Sequence, residues 1–563
     1  MVITHSRAYI QLAPTYLYKK IKKFIIMKLI KINMFFLLVL IIVTGSCKKD
    51  YLNRPPLTGI TTDNFYKSTS DLRLATAALY AQPWFNWNSF PMLGIGDIMS
   101  GNMLQPYNSD LAQLASFSIT SNNGQISSAW TSFYDIVAHC DINIKTINTK
   151  LPDSVSVKGR NGALGELRFM RATAYFYLAQ LWGAVPIIED NDKLIANPLV
   201  PRHKLTDVYK FIINDLRFAT ANLPKSDQPG RVTTWSAQGM LAKVYLTRAG
   251  LGQSGSRNQS DLDSAAYYAG NVCNSSGLTL LPSYYNVFRT QFNDNPESLF
   301  AFQWAPGVGY GAGNDIQAQF APSGSIVTGG GGWGGAIGPT YDLAQLYIPA
   351  DSIRRKATFM LTGDHYPELN AAGGGYTATG VNVKKHIVGT AADNNSPTMD
   401  LWSSVEHNTV LRLADVYLIY AEAIMGNNTS TSDPRALQFF NAVRARAGVP
   451  TVTSITTTSL RNERRIELAF EGQYWFDLVR LSYYDPDGAI KILHDQITEK
   501  TPGDNTSMPR TQFSYNPGTG VETPTANGMN ITEPTIATFT LPIPANDQTA
   551  DPKLAEPPVA YYK

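Results

Sequence analysis

Leu164, Leu167, Met170, Ala174, Leu178 and Leu181 recur at steps of three and four residues, and Gly183 and Pro186 follow them. On a helix that spacing gathers the apolar side chains into one stripe, with Gly and Pro supplying the stop. A stripe of this kind is stable only when another element covers it. Leu205, Val208, Ile212, Leu216 and Ala219 repeat the pattern, with Thr206 expected as the N-cap and Pro224 beyond the end. Residues 235–249 and 261–276 read as two more helices, closed by Gly250 and Gly277. A run of amphipathic helices predicts a repeat-like helical scaffold, although the spacing is too uneven for a clean repeat of about 34 residues.

The middle of the chain breaks this rhythm. From about Leu281 to Asn408 it is rich in Gly, Pro, Asn and Thr, with the runs Gly329–Gly335 (Trp333 inside it) and Gly373-Gly374-Gly375-Tyr376. These features predict irregular loops with a few short strands. Helix is expected again at Val410–Met425. Asp433-Pro434 supplies an N-cap and a first-turn proline for the next helix, which Gly448-Val449-Pro450 ends. Leu460–Leu481 reads as a longer helix interrupted near Gly472, and residues from about Ser482 onward as a loop-rich tail.

The other end of the chain reads as an address. Met27-Lys28-Leu29-Ile30-Lys31 is basic, nine apolar residues run from Phe35 to Val43, and Thr44-Gly45-Ser46-Cys47 follows. Basic start, short apolar core and small residues are the parts of a secretory signal. The apolar run falls short of the roughly 20 residues a spanning helix needs. Small residues before Cys47 resemble the lipobox of bacterial lipoproteins, in which the Cys is diacylated, with Thr44 where Leu is usual. The alternative is cleavage near Ser46 with an unmodified Cys. Residues 1–26 are read as lying upstream of a start at Met27, and Lys48 to about Thr58, with Pro55-Pro56, as a polar tether.

Charge must be judged without the leader. Residues 1–46 hold seven basic and no acidic residues, so the +3 of the whole chain becomes −4, with 40 basic side chains against 44 acidic. A mildly acidic protein lacks the electrostatic footprint for nucleic acid. Cys140 and Cys273 could pair in an oxidising compartment, but carry no spacing signature and are expected as buried free thiols.

Several segments then stand in a recognisable order. Val410-Leu411-Arg412-Leu413-Ala414-Asp415-Val416-Tyr417-Leu418-Ile419-Tyr420-Ala421-Glu422-Ala423 resembles the RLAEVYLMYAEA-type helix of the SusD/RagB family. Asn441-Ala442-Val443-Arg444-Ala445-Arg446-Ala447-Gly448 is similar to its N-x-VR-x-RAG segment. Glu463-Arg464-Arg465-Ile466-Glu467-Leu468-Ala469-Phe470-Glu471-Gly472 is similar to its ER-x-x-EL-x-FEG signature, and Phe476-Asp477-Leu478-Val479-Arg480 to the DL-x-R that follows. Upstream, Glu166–Ala172 and Gly183-Ala184-Val185-Pro186 resemble EARFLRA and GxVP, and Leu541-Pro542-Ile543-Pro544 the terminal LPIP. Gln473-Tyr474-Trp475 departs from the usual Arg-aromatic pair after FEG.

The resemblance implies a mainly α fold with tetratricopeptide-like helix pairs packed against an irregular loop-rich region with a few short strands. On that reading residues 1–46 are signal, 47–58 a lipidated tether and 59–563 a single domain. Within it, 59–280 and 409–481 form the scaffold, 281–408 the ligand-facing loops and 482–563 the tail. It also implies a lipoprotein facing outward from the outer membrane of a Bacteroidetes-type bacterium. Its partners would be a SusC-type TonB-dependent transporter and an oligosaccharide or polysaccharide. The alternative is a lid or interaction subunit of such a transporter for a non-glycan nutrient such as peptide. These are scaffold motifs and transfer no ligand-contacting residue.

The residues themselves point to binding rather than catalysis. Glu463, Glu467 and Glu471 fall on one helix face beside arginines, which fits ion pairing better than the two flanking carboxyls of a glycosidase. The seven His show no metal-ligand spacing, no carboxylate loop of the calcium type occurs, and the Gly-rich run lacks the Lys-Ser/Thr of a phosphate loop. No cofactor or metal is expected. Sugars are held by aromatic faces and hydrogen-bonding groups, and loops carry such sites disproportionately. Two loop clusters qualify: Trp84 and Trp87, leading to Asp97 and Asn102, and Trp304, Tyr310, Asn314, Asp315, Trp333 and Tyr341.

Overall fold

The computed structural model describes residues 19–31, 33–34, 65–105, 107–307, 311–498, 510–525 and 528–563, so Cys47 and Tyr310 lie outside the described residues. The chain divides into two compact units, Met1–Phe65 and Tyr66–Lys563. In the first, residues 19–31 are helical. Among the described residues no helix is long and apolar enough to cross a membrane.

In the second unit, after α1 (Thr69–Ala77), a series of helices forms the scaffold: α2 (Gly124–Lys150), α3 (Val157–Trp182), α4 (Leu205–Asn222), α5 (Thr234–Arg248) and α6 (Gln259–Ser275). Each packs on the next, and α6 then packs on α7 (Leu413–Met425), which packs on α8 (Pro434–Arg446). The architecture is therefore mainly α, with the stripe of α3 fully covered: Leu167, Met170, Ala174, Leu178 and Leu181 are all buried. Asp433 caps α8 as expected, its side chain accepting from Arg435 N. Thr206 does not cap α4: the N-cap is Lys204, without a side-chain bond.

Between α6 and α7 the chain leaves the scaffold. β1 (Ser298–Phe302) and β2 (Asn408–Arg412) pair antiparallel, with Ser298 opposite Arg412, Phe302 opposite Asn408 and a register shift between. This pairing brings both ends of the excursion side by side at a neck. The helix expected from Val410 accordingly begins at Leu413, because Val410 and Leu411 belong to β2. Beyond the neck lie short helices, 3-10 turns and two-residue ladders, such as Met103–Leu104 against Gly338–Pro339.

Two sequence expectations fail on length. The longest helix described, α2, went unread because its apolar positions are diluted by Ser, Thr and Asn. The tail is more ordered than expected: after α9 (Thr457–Glu467) and α10 (Tyr474–Ser482) come α11 (Pro486–Ile497) and the hairpin of β3 (Gln512–Asn516) with β4 (Val521–Thr525).

The break between α9 and α10 is held by buried charge. Phe470 (φ 63) and Gly472 (φ 69) both adopt the left-handed region, which a bulky residue such as Phe470 enters only at a cost. Asp97 fixes the break, accepting from Phe470 N at 2.9 Å and Gly472 N at 2.8 Å. Arg412, at the end of β2, reaches Glu297, Glu467 and Glu471 at 2.7–2.9 Å, and Arg354 reaches Asp351, Glu463 and Glu467 at 2.5–3.2 Å. Burial alone would raise the Glu467 carboxyl, but the guanidiniums of Arg446, Arg412 and Arg354 outweigh it and hold it at about 2. Glu467 on α9 and Glu471 in the break are thus tied to the neck through Arg412, while Glu463 ties α9 to Arg354 and to Arg444 of α8. Cys140 and Cys273 are free.

Candidate functional site

Most of the residues expected to meet ligand are interior, and those expectations are corrected. Trp84 and Trp87 are fully buried. Trp84 Nε1 donates to Leu79 O at 2.8 Å and its ring stacks on Phe302 at 4.9 Å, while Trp87 packs on Phe133 and Tyr177. They knit α2, α3 and β1 together, so their place in a polar-looking stretch misleads. Asp97 holds the α9–α10 break, and burial pushes its carboxyl up despite the bonds it accepts. Asn102 donates to Asp97 and accepts from Arg465 Nε at 2.8 Å. Trp304 is buried edge-on to Phe85 and Phe302. Asn314 bridges loops, its amide donating to Glu406 O and its oxygen accepting from Ile316 N. Tyr341 opens a short helix, packed on Phe513.

One expected residue among those described remains exposed. Trp333 is 57 % exposed and stacks on Trp402, itself 47 % exposed, with ring centroids 4.9 Å apart and planes 19° from parallel. Two indoles stacked together and open to solvent form a contiguous apolar patch, the kind of surface that contacts a partner or ligand. Trp402 was not among the expected residues, although the signal that singled out Trp333 applies to it equally: a tryptophan in a polar stretch, 396–404, with no helical period.

Local geometry presents both rings. Asp400 Oδ1 accepts from Trp402 N at 2.9 Å, closing a turn that puts the indole at its tip. Trp333 begins a 3-10 turn, and Gly334 N donates to Ala321 O at 3.0 Å. A Cβ on Gly334 would lie 2.1–2.6 Å from the Phe320 backbone, so only glycine lets the loop lie this close.

Trp402 lines a cleft of about 860 Å³. One wall is the 85–91 segment with Phe85, Asn86 and Phe90. Another is the first turns of α2, with Gln125 and Ser128, and the excursion supplies Asp315, Asp400 and Ser403. Asp315 Oδ2 accepts from Ser89 Oγ at 2.7 Å, while Oδ1 is buried with no hydrogen-bond partner among the described residues. Burial pushes this carboxyl up to about 6, against the bond from Ser89. The cleft thus combines aromatic faces, amides, hydroxyls and a carboxylate acceptor within the size range of small-ligand sites.

Fold and cleft together define a class: a helical scaffold carrying an inserted loop-rich excursion, with an aromatic-lined cleft between the two. The chain belongs to the SusD family. A sequence profile of the SusD family matches residues 296–559, and one described as starch-binding and associating with the outer membrane matches 92–246. A SusD-like protein of Bacteroides ovatus is 38 % identical over 527 residues, covering 92 % of this chain and 96 % of the relative. SusD-like protein P2 of Formosa agariphila is 28 % identical, covering 79 % and 89 %. A crystal structure obtained with xylogluco-oligosaccharide superposes with a TM-score of 0.79 at 37 % identity, covering 87 % of this chain and 99 % of the other.

Proposed function

We propose that this protein is an outward-facing outer-membrane lipoprotein, acylated at Cys47, that holds oligosaccharide in the Trp402 cleft and passes it unaltered to a SusC-type TonB-dependent transporter. The observation that carries the reading is Trp402 in the lining of the cleft, stacked on the exposed Trp333. Indole faces stack on the C–H surface of pyranose rings, while Asp315, Asp400, Asn86 and Gln125 meet hydroxyls. The signature glutamates Glu463, Glu467 and Glu471 support binding without hydrolysis, since each is committed to buried ion pairs. The solved relative with xylogluco-oligosaccharide makes xyloglucan the first glycan to try.

The test is affinity electrophoresis and calorimetry of the protein lacking residues 1–46 against xyloglucan, laminarin and starch, with reducing-end release measured alongside. Retardation without product release is expected. Silence across the panel, with co-purification of the transporter intact, would instead favour a lid for a non-glycan cargo such as peptide. In cells, labelled palmitate is expected to enter the wild type and not Cys47→Ser, and label retained by the variant would refute the anchor.

A further inference from the structure

Phe85, Asn86 and Gly311 line the main cleft and also a second cavity of about 360 Å³. These shared residues form a wall with a binding space on either side. The far side of the second cavity is a face of α2: Asp135, His139 and Asn143 fall four residues apart and stand in a row along the helix. Gln82 closes it from the 82–86 segment. Asn143 is committed, accepting from Tyr66 Oη at 2.6 Å and donating to His139 O at 2.8 Å. Among the described residues, no hydrogen bond engages the side chains of Asp135, His139, Gln82 or Asn86, and all four are exposed. Phe85 is half-buried, its ring edge-on to Trp304 at 6.2 Å, and it lines both spaces as the partition between them. A carboxylate, an imidazole and two amides therefore surround an aromatic wall that the main cleft shares.

Resting on the glycan reading above, we propose that this second cavity is a distal subsite, which takes the further sugar units of an oligosaccharide whose first units lie against Trp402. Asp135 accepts from hydroxyls there, His139, Gln82 and Asn86 supply the donors, and Phe85 is the partition the chain crosses. A ligand confined to the main cleft never reaches α2 at 135–139. The subsite therefore reads ligand length, while the tryptophan pair reads the presence of sugar.

Calorimetry with xyloglucan fragments of one and of two repeat units tests this on the wild type, on the Asp135→Ala/His139→Ala double variant and on Trp402→Ala. Both subsite residues are exposed on a helix, where alanine is well tolerated. Wild type is expected to bind the longer fragment about tenfold more tightly, a gain of the size a few hydrogen bonds supply. The double variant is expected to erase that gain and leave the short-fragment Kd unchanged, whereas Trp402→Ala weakens both lengths alike. A full length gain in the double variant, or no gain in the wild type, overturns the subsite while leaving the glycan reading intact. Wild type binding neither fragment nor any glycan of the panel refutes both.

Discussion

Replacing Trp402 with alanine, beside the same change at Trp84, separates residues that look alike in the sequence. Trp402 is 47 % exposed and its ring contact is the stack on Trp333. Losing that stack costs about 0.5–1.5 kcal/mol of stability. As an anchor for ligand it is worth about 2 kcal/mol, roughly a 30-fold rise in Kd. Trp84 is fully buried, stacked on Phe302 and bonded to Leu79 O, so alanine there leaves a cavity and costs about 3–5 kcal/mol. Urea denaturation gives the stabilities, and calorimetry with the tightest-binding glycan gives the Kd values. Trp402→Ala should unfold near the wild-type midpoint and bind poorly. Trp84→Ala should unfold early and, where still folded, keep its affinity. Wild-type affinity in Trp402→Ala, or wild-type stability in Trp84→Ala, would refute the assignment of the two rings.

Arg412→Met should destabilise by about 3–5 kcal/mol in urea, because Glu297, Glu467 and Glu471 lose a shared buried partner; an unchanged midpoint would show that the neck does not depend on this cross-link. Asp315 has a carboxyl raised to about 6, so its charge is present above that pH and lost as the pH falls through it. Titrations on either side should show affinity dropping on the acid side, and Asp315→Asn should flatten the profile if the ionised oxygen meets ligand. Gly334→Ala drives a Cβ into the Phe320 backbone and should displace the Trp333 loop. Glycan affinity should fall at least fivefold while the global midpoint moves by no more than about 1–3 kcal/mol; retained affinity would detach the loop from the site.

The helices that build the scaffold were legible because their periodicity is local. Leu164 to Leu181 declare one apolar stripe, and Gly183 and Pro186 declare its end, whatever surrounds them. The family segments and the pairing role of Glu463, Glu467 and Glu471 were legible for the same reason: each is a pattern within a few turns of chain. What a lone aromatic does in a stretch without periodicity was not legible. Trp84, Trp87 and Trp304 stand among polar neighbours just as Trp333 and Trp402 do, yet Trp84 and Trp87 fill the space between α2, α3 and β1, and Trp304 is buried against Phe85 and Phe302. Asp97 and Asn102 look like sugar ligands until Phe470, Gly472 and Arg465, more than 360 positions away, claim their hydrogen bonds. The sequence alone therefore settled the strongly periodic helices and the family pattern they carry, but not α2 or α11. Tertiary packing decided which polar and aromatic groups are left for a ligand, because burial and partnership depend on contacts between residues hundreds of positions apart.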